Sequence, residues 1–135
     1  MNTTTNLSAL MATDSMKTRR EAQQLLAQEV TALLRHDEVD SLHWQGTRID
    51  LMEALHLAYE TGELQDEDGI SLPFTVIVSR ACRLLHIAQP SNPYECASRG
   101  SRRKGRKMVS YLDRYARRLR RQGPGDAFWK DIAKG

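Results

Sequence analysis

The chain has 135 residues, 40% of them hydrophobic, with 8 Gly, 4 Pro, 2 Cys and a formal net charge of +3. That length suits one domain of about 100–150 residues, and the composition excludes a fibrous chain, a disulfide scaffold and a wholly disordered chain. No apolar run approaches the ~20 residues of a membrane span, and the N-terminus lacks the basic start and apolar block of a secretory signal; both point to the cytoplasm.

Residues 1–16 are rich in Thr, Asn and Ser without periodicity and read as a disordered leader. A helical domain follows over 17–121. Its first helix runs from Lys17 to about His36, with Ala22, Leu25, Leu26, Val30, Leu33 and Leu34 mostly on one face. "SLHWQG" allows a short strand at Leu42–Trp44, or a hairpin. Thr47 with Asp50 three residues on approximates a capping box, and a second helix follows to about Glu60, stopped by Gly62.

The loop "ELQDEDGI" is acidic and lacks the full ligand spacing of a calcium loop. Ser71 is then a candidate cap for a third helix with Pro73 in its first turn and Phe74, Ile77, Val78, Ala81, Leu84 and Leu85 along its buried stripe. Asn92, Pro93 and Glu95 start a fourth helix. Gly100 and Gly105 weaken it, yet Met108, Leu112, Tyr115 and Leu119 resume a helical seam. The tail, 122–135, carries Phe128, Trp129 and Ile132, which suit a short helix docked on the body. The fold class expected is mainly α, a single helical domain.

The two cysteines, Cys82 and Cys96, form no C-x-x-C and read as buried thiols. The four histidines are scattered, no nucleophile, zinc or phosphate-loop motif occurs, and neither an enzyme nor a cofactor is expected.

Charge is the strongest signal. Residues 1–98 carry 7 Lys/Arg and 14 Asp/Glu, a net of −7; residues 99–135 carry 13 and 3, a net of +10. On a continuous fourth helix, steps of 100° place Arg99, Arg103, Arg106, Arg114, Arg117 and Arg121 in one stripe opposite the apolar seam. Lys107 and Arg118 flank one edge, Arg102 and Arg120 the other. Solvated helix faces usually mix signs, because like charges at i, i+4 repel. Arginine-rich stripes suit phosphate, which the guanidinium grips with two hydrogen bonds. The partner expected is nucleic acid, double-stranded DNA first, with Arg102, Arg103 and Lys104 as the choice for base contacts. A homodimer is compatible with the chain; a membrane surface is not favoured, since the seam holds no Trp or Phe. The rival is a protein-interaction domain whose basic helix meets an acidic partner, or the chain's own acidic half within one copy or between two.

Two segments resemble a known family. "LHWQGTRIDLMEALHLAYETGEL" resembles the W-x-G-x-x-x-x-L-x-E-L segment of RteC-type regulators of conjugative transposons, through Trp44, Gly46, Leu51, Glu53 and Leu55. "YECASRGSRRKGRKMVSYLDRYARRL" is similar to its Y-x-x-F-x-x-I-R-x-R-K-x-x-R-x-x-F-L segment, through Tyr94, Arg99, Arg103, Lys104, Arg106, Tyr111 and Leu112. The resemblance spans about residues 42–121. It implies a helix-turn-helix, winged-helix-like DNA-binding domain that regulates transcription for excision and transfer of mobile elements. The chain departs in having Leu84 and Leu85 where the family often has Phe, and in lacking the family's longer N-terminal portion.

Overall fold

The computed structural model describes the backbone of residues 3–103 and 109–135, and side chains from residue 18 onward within those ranges. Helix α1 spans Thr3–Leu34. It starts well ahead of Lys17, the start expected from the sequence. No Gly or Pro occurs before Gly46, so the sequence offers no breaker in this stretch. Further along, Ala22, Leu26, Val30 and Leu33 of the expected face are fully buried, as is Ala27 beside them, and Leu25 is partly buried.

Strand β1, Leu42–Trp44, forms where expected. Its partner is β2, Ile132–Lys134, antiparallel with His43 opposite Ala133. The strands come from opposite ends of the domain, so they form no hairpin, and the tail ends in a strand, not the expected docked helix. One turn of 3-10 helix at Trp129–Asp131 precedes it. The tail nonetheless docks: Ala127 and Phe128 are fully buried. Trp44 holds the two ends together, with its ring 5.5 Å from Phe128 and 6.3 Å from Tyr111.

Helix α2, Arg48–Glu60, is capped by Thr47, whose hydroxyl accepts from the Asp50 N–H at 3.1 Å. It is the central element, packed against each of the other four helices. Helix α3 covers Phe74–Leu84 and buries Phe74, Ile77, Val78, Ala81, Cys82 and Leu84. Ser71 is not its cap. It bridges back to Gln65 instead, and extended Pro73 stands at the cap position. Helix α4, Pro93–Ser101, starts as expected, with the Asn92 side chain accepting from the Glu95 N–H.

The expected continuous fourth helix does not exist. Helix α4 ends at Ser101 and helix α5 spans Tyr111–Gln122. The N–H groups of Tyr111, Leu112 and Asp113 all go to side-chain oxygens, of Glu53, Glu53 and Ser110 respectively. Three donors spent this way mark a helix start, since inside a continuing helix they would bond to carbonyls four residues back. Tyr111, Leu112, Tyr115 and Ala116 then face the core. Met108 of the expected seam lies outside the described residues. The whole is one mainly helical domain with a two-stranded antiparallel sheet.

Candidate nucleic-acid interface

The break between α4 and α5 divides the arginine stripe. Arg103 Nη1 donates to Asp50 Oδ1 at 3.2 Å, and Arg114 Nη2 donates to the same oxygen. The Asp50 side chain is only 7% exposed, so two cations meet over one buried carboxylate. Arg118 forms a two-pronged pair with Asp131 at 2.5 and 3.1 Å and also donates to the Ala127 carbonyl. Tyr111 Oη donates to the same aspartate at 3.0 Å. Burial, then the Asp131 charge, push the Tyr111 phenol well above its ordinary range; the Asp131 hydrogen bond raises Arg118 in turn. Arg103, Arg114 and Arg118 therefore face the protein. Arg103 and Arg114 lose their expected place on the outward stripe, and Arg118 its place at the stripe's edge, because the 100° projection fails where the helix stops.

Arg99 and Arg102 do project outward, on the open face of α4, where both reach exposed Glu95 at 3.4 and 3.6 Å. Arg117, Arg120 and Arg121 are exposed along α5. No salt bridge joins these three to a carboxylate among the described residues. Lys104, Arg106 and Lys107 lie outside the described residues. What remains of the stripe is two outward arginine sets, one on each helix.

Buried carboxylates hold these helices, a role that the cap position of Asp50 and the family position of Glu53 do not by themselves reveal. Glu53, 1% exposed, accepts the Tyr111 N–H at 2.9 Å and the Leu112 N–H at 3.1 Å. Burial pushes its carboxyl above the ordinary value, while these two bonds pull it back. Glu29, also buried, accepts the Phe128 N–H at 3.0 Å and the Tyr115 hydroxyl, and burial raises it likewise. The available signal was position. Asp50 and Glu53 stand three apart among Leu51, Met52, Ala54 and Leu55, where carboxylates would be buried and would need donors. Gly100 fits α4 onto this site: a Cβ there would stand 2.7 Å from Glu53 Oε1 and 3.0 Å from its Cβ.

A cleft of about 530 Å³ opens beside α4, lined by Thr47, Arg48, Asn92, Glu95, Cys96 and Arg99. It adds Arg48 to the basic surface. Burial pushes Cys82 up to about 11 and raises Cys96 as well, so neither thiol is primed for nucleophilic chemistry. Cys82 is buried as expected, and Cys96 is half-buried. Among the described residues no His/Cys/Asp/Glu group has metal-site geometry, and no helix is long and apolar enough to cross a membrane. No family model, curated protein or solved structure matches the chain.

Proposed function

We propose that the chain is a DNA-binding regulatory protein that grips phosphates through the outward arginines of α4 and α5. The observation that carries this reading is the state of Arg117, Arg120 and Arg121. They crowd one exposed helical face with no salt-bridge partner among the described residues, while Arg103 and Arg114 share the Asp50 carboxylate and Arg118 pairs with Asp131. An ordinary surface avoids such repulsion, and a polyanion relieves it. Arg99 and Arg102 extend the basic surface onto α4, with Arg48 beside them. Phosphate contacts of this kind give affinity and register, and sequence must be read by side chains that reach base edges. Arg102 remains the described candidate for that role.

The resemblance to RteC-type regulators supports the same reading: a winged-helix-like module acting in the transfer of mobile elements. Its Leu51 and Glu53 positions are a core residue and a buried anchor of α2.

The test is a gel shift with duplex DNA, single-stranded DNA and RNA across several salt concentrations. Duplex affinity should fall with a log–log slope of about −4 to −5 if five arginines each neutralise a phosphate, at ~0.9 per contact. Absence of binding to every nucleic acid at ~50 mM salt, which favours phosphate contacts, would end the proposal. The protein-interaction reading has its own support, since Asp50 of the acidic half already binds Arg103 and Arg114 within one chain.

A further inference from the structure

Four large hydrophobic side chains stand exposed among the described residues, and two of them, Val39 and Val76, line neighbouring hollows on one face. Single exposed aliphatics are ordinary, but aliphatics exposed within a groove mark an interaction surface. The face joins the turn after α1, the outer side of α3 and the loop 63–72. Two hollows run along it and share Arg80. One, of about 360 Å³, is bounded by His36, Glu38, Val39 and Arg83. The other, of about 880 Å³, has Leu34, Leu64, Leu72 and Val76 as its aliphatic walls and the run Glu63–Asp68 as its rim.

Three arginines, Arg35, Arg80 and Arg83, line this face against six carboxylates, of Asp37, Glu38, Glu63, Asp66, Glu67 and Asp68. Arg80 Nε donates to the Leu34 carbonyl at 2.6 Å, and Arg83 pairs with Glu38 at 3.8 Å. Arg35 stands at the rim. Glu63, Glu67 and Asp68 form no salt bridge among the described residues. An aliphatic floor with an acidic rim matches a helix face of arginines, whose stems cover apolar surface while their guanidiniums reach carboxylates. This chain presents such a face on α5, at Arg117, Arg120 and Arg121. No α5 residue lines either hollow, so a copy's own α5 does not fill its own groove.

We infer that the groove formed by α1, α3 and the acidic loop receives the arginine face of α5 from a second copy of this chain. The contact joins two different surfaces, head to tail, so copies add into rings or open chains and association should grow with concentration. It does not rest on the nucleic-acid reading, although a polyanion would compete for the same arginines.

The test is sedimentation velocity of the full chain over a range of concentrations at ~0.02 M and ~0.5 M salt, since screening shortens the reach of such contacts to a few ångströms at the higher value. Reversible association should appear at low salt and vanish at high salt. The double variant Glu67→Lys with Asp68→Lys, and separately Arg117→Glu with Arg120→Glu, should each be monomeric at low salt. An equimolar mixture of the two variants should associate again, because each supplies the charge the other now needs. All four positions are exposed, and far-ultraviolet circular dichroism checks that the variants stay folded. A monomer at every concentration in low salt overturns the inference, as does association that survives either reversal. Capture of an oligo-arginine peptide by the groove without self-association also overturns it, in favour of a foreign basic partner. The Glu67/Asp68 variant retains every outward arginine, so its DNA binding reads out the proposed function separately.

Discussion

At the scale of single residues, Gly100, Glu53 and Asp50 decide whether the basic segment is held. The Glu53 carboxylate cannot swing away from an added methyl, because two backbone N–H groups fix it. Gly100→Ala therefore overpacks the α2–α4 contact and should cost about 1–3 kcal/mol, the usual range for forced extra volume. Glu53→Ala removes both acceptors and leaves two buried donors without partners, each worth about 1–3 kcal/mol. The pair of variants is checked by urea unfolding. Gly100→Ser should behave like Gly100→Ala, and full stability in both would mean that α4 can lift from α2 at little cost. Asp50→Ala strands two guanidiniums. A fully buried broken pair costs about 3–5 kcal/mol, but Arg103 and Arg114 are 16% and 33% exposed, so solvent screening reduces the loss to about 1–3 kcal/mol.

At the scale of elements, the arginines of α5 separate into two classes, and mutation should separate them too. Arg114→Ala and Arg118→Ala each remove a pair with a largely buried aspartate and should lower the melting temperature. Arg117→Ala and Arg121→Ala remove exposed guanidiniums and should leave it unchanged or slightly higher through relief of repulsion. Duplex affinity should show the reverse order, with the salt slope reduced by about one for each of Arg117 and Arg121. Equal stability losses across all four would refute the division. Much of the element structure was legible: the caps Thr47 and Asn92, and the apolar faces of α1 and α3, follow from short-range spacing that the fold keeps. The end of α4 was not. Met108, Leu112, Tyr115 and Leu119 keep helical spacing across the start of α5, because periodicity in the sequence is indifferent to where a helix begins. What starts α5 is Glu53, 58 residues earlier in sequence, together with the S-x-x-D pattern of Ser110 and Asp113. A long-range acceptor leaves no mark in a local window. β2 was hidden for the same reason, since its only ladder partner is β1 at the other end of the domain. The candidate site was half legible: composition pointed to a concentration of arginine on this end of the chain, but which arginines face out depends on Asp50 and Asp131, whose burial is a property of the packed molecule.

At the scale of the whole molecule, an acidic body holds a basic end through buried carboxylates, and their ionisation is coupled to folding. Glu29 accepts from the tail at Phe128 and from α5 at Tyr115; Glu53 accepts from the start of α5. Burial raises both above the ordinary value of 4.5. A carboxyl with a raised folded value holds its proton longer in the native state than in the unfolded chain. Above about pH 4.5 the native state therefore binds more protons, so these two groups contribute stability that is complete below 4.5 and is lost as pH rises through their folded values. Glu53→Gln has no proton to exchange. It also sets an NH₂ against one of the two backbone N–H donors, so it should be less stable than the parent at every pH. The difference should be largest near pH 4.5 and shrink toward neutrality, as measured by urea unfolding at half-unit steps. Glu29→Gln should follow the same course. A difference that widens with rising pH would mean that the two N–H bonds to Glu53 outweigh its burial and hold the carboxyl below 4.5. The clamp on α5 would then tighten toward neutral pH, where phosphate binding is assayed. If the difference shrinks as expected, the acidic body holds its basic end against an electrostatic cost at neutral pH, and the hydrogen bonds and packing around Tyr111, Tyr115 and Phe128 are what keep α5 in place.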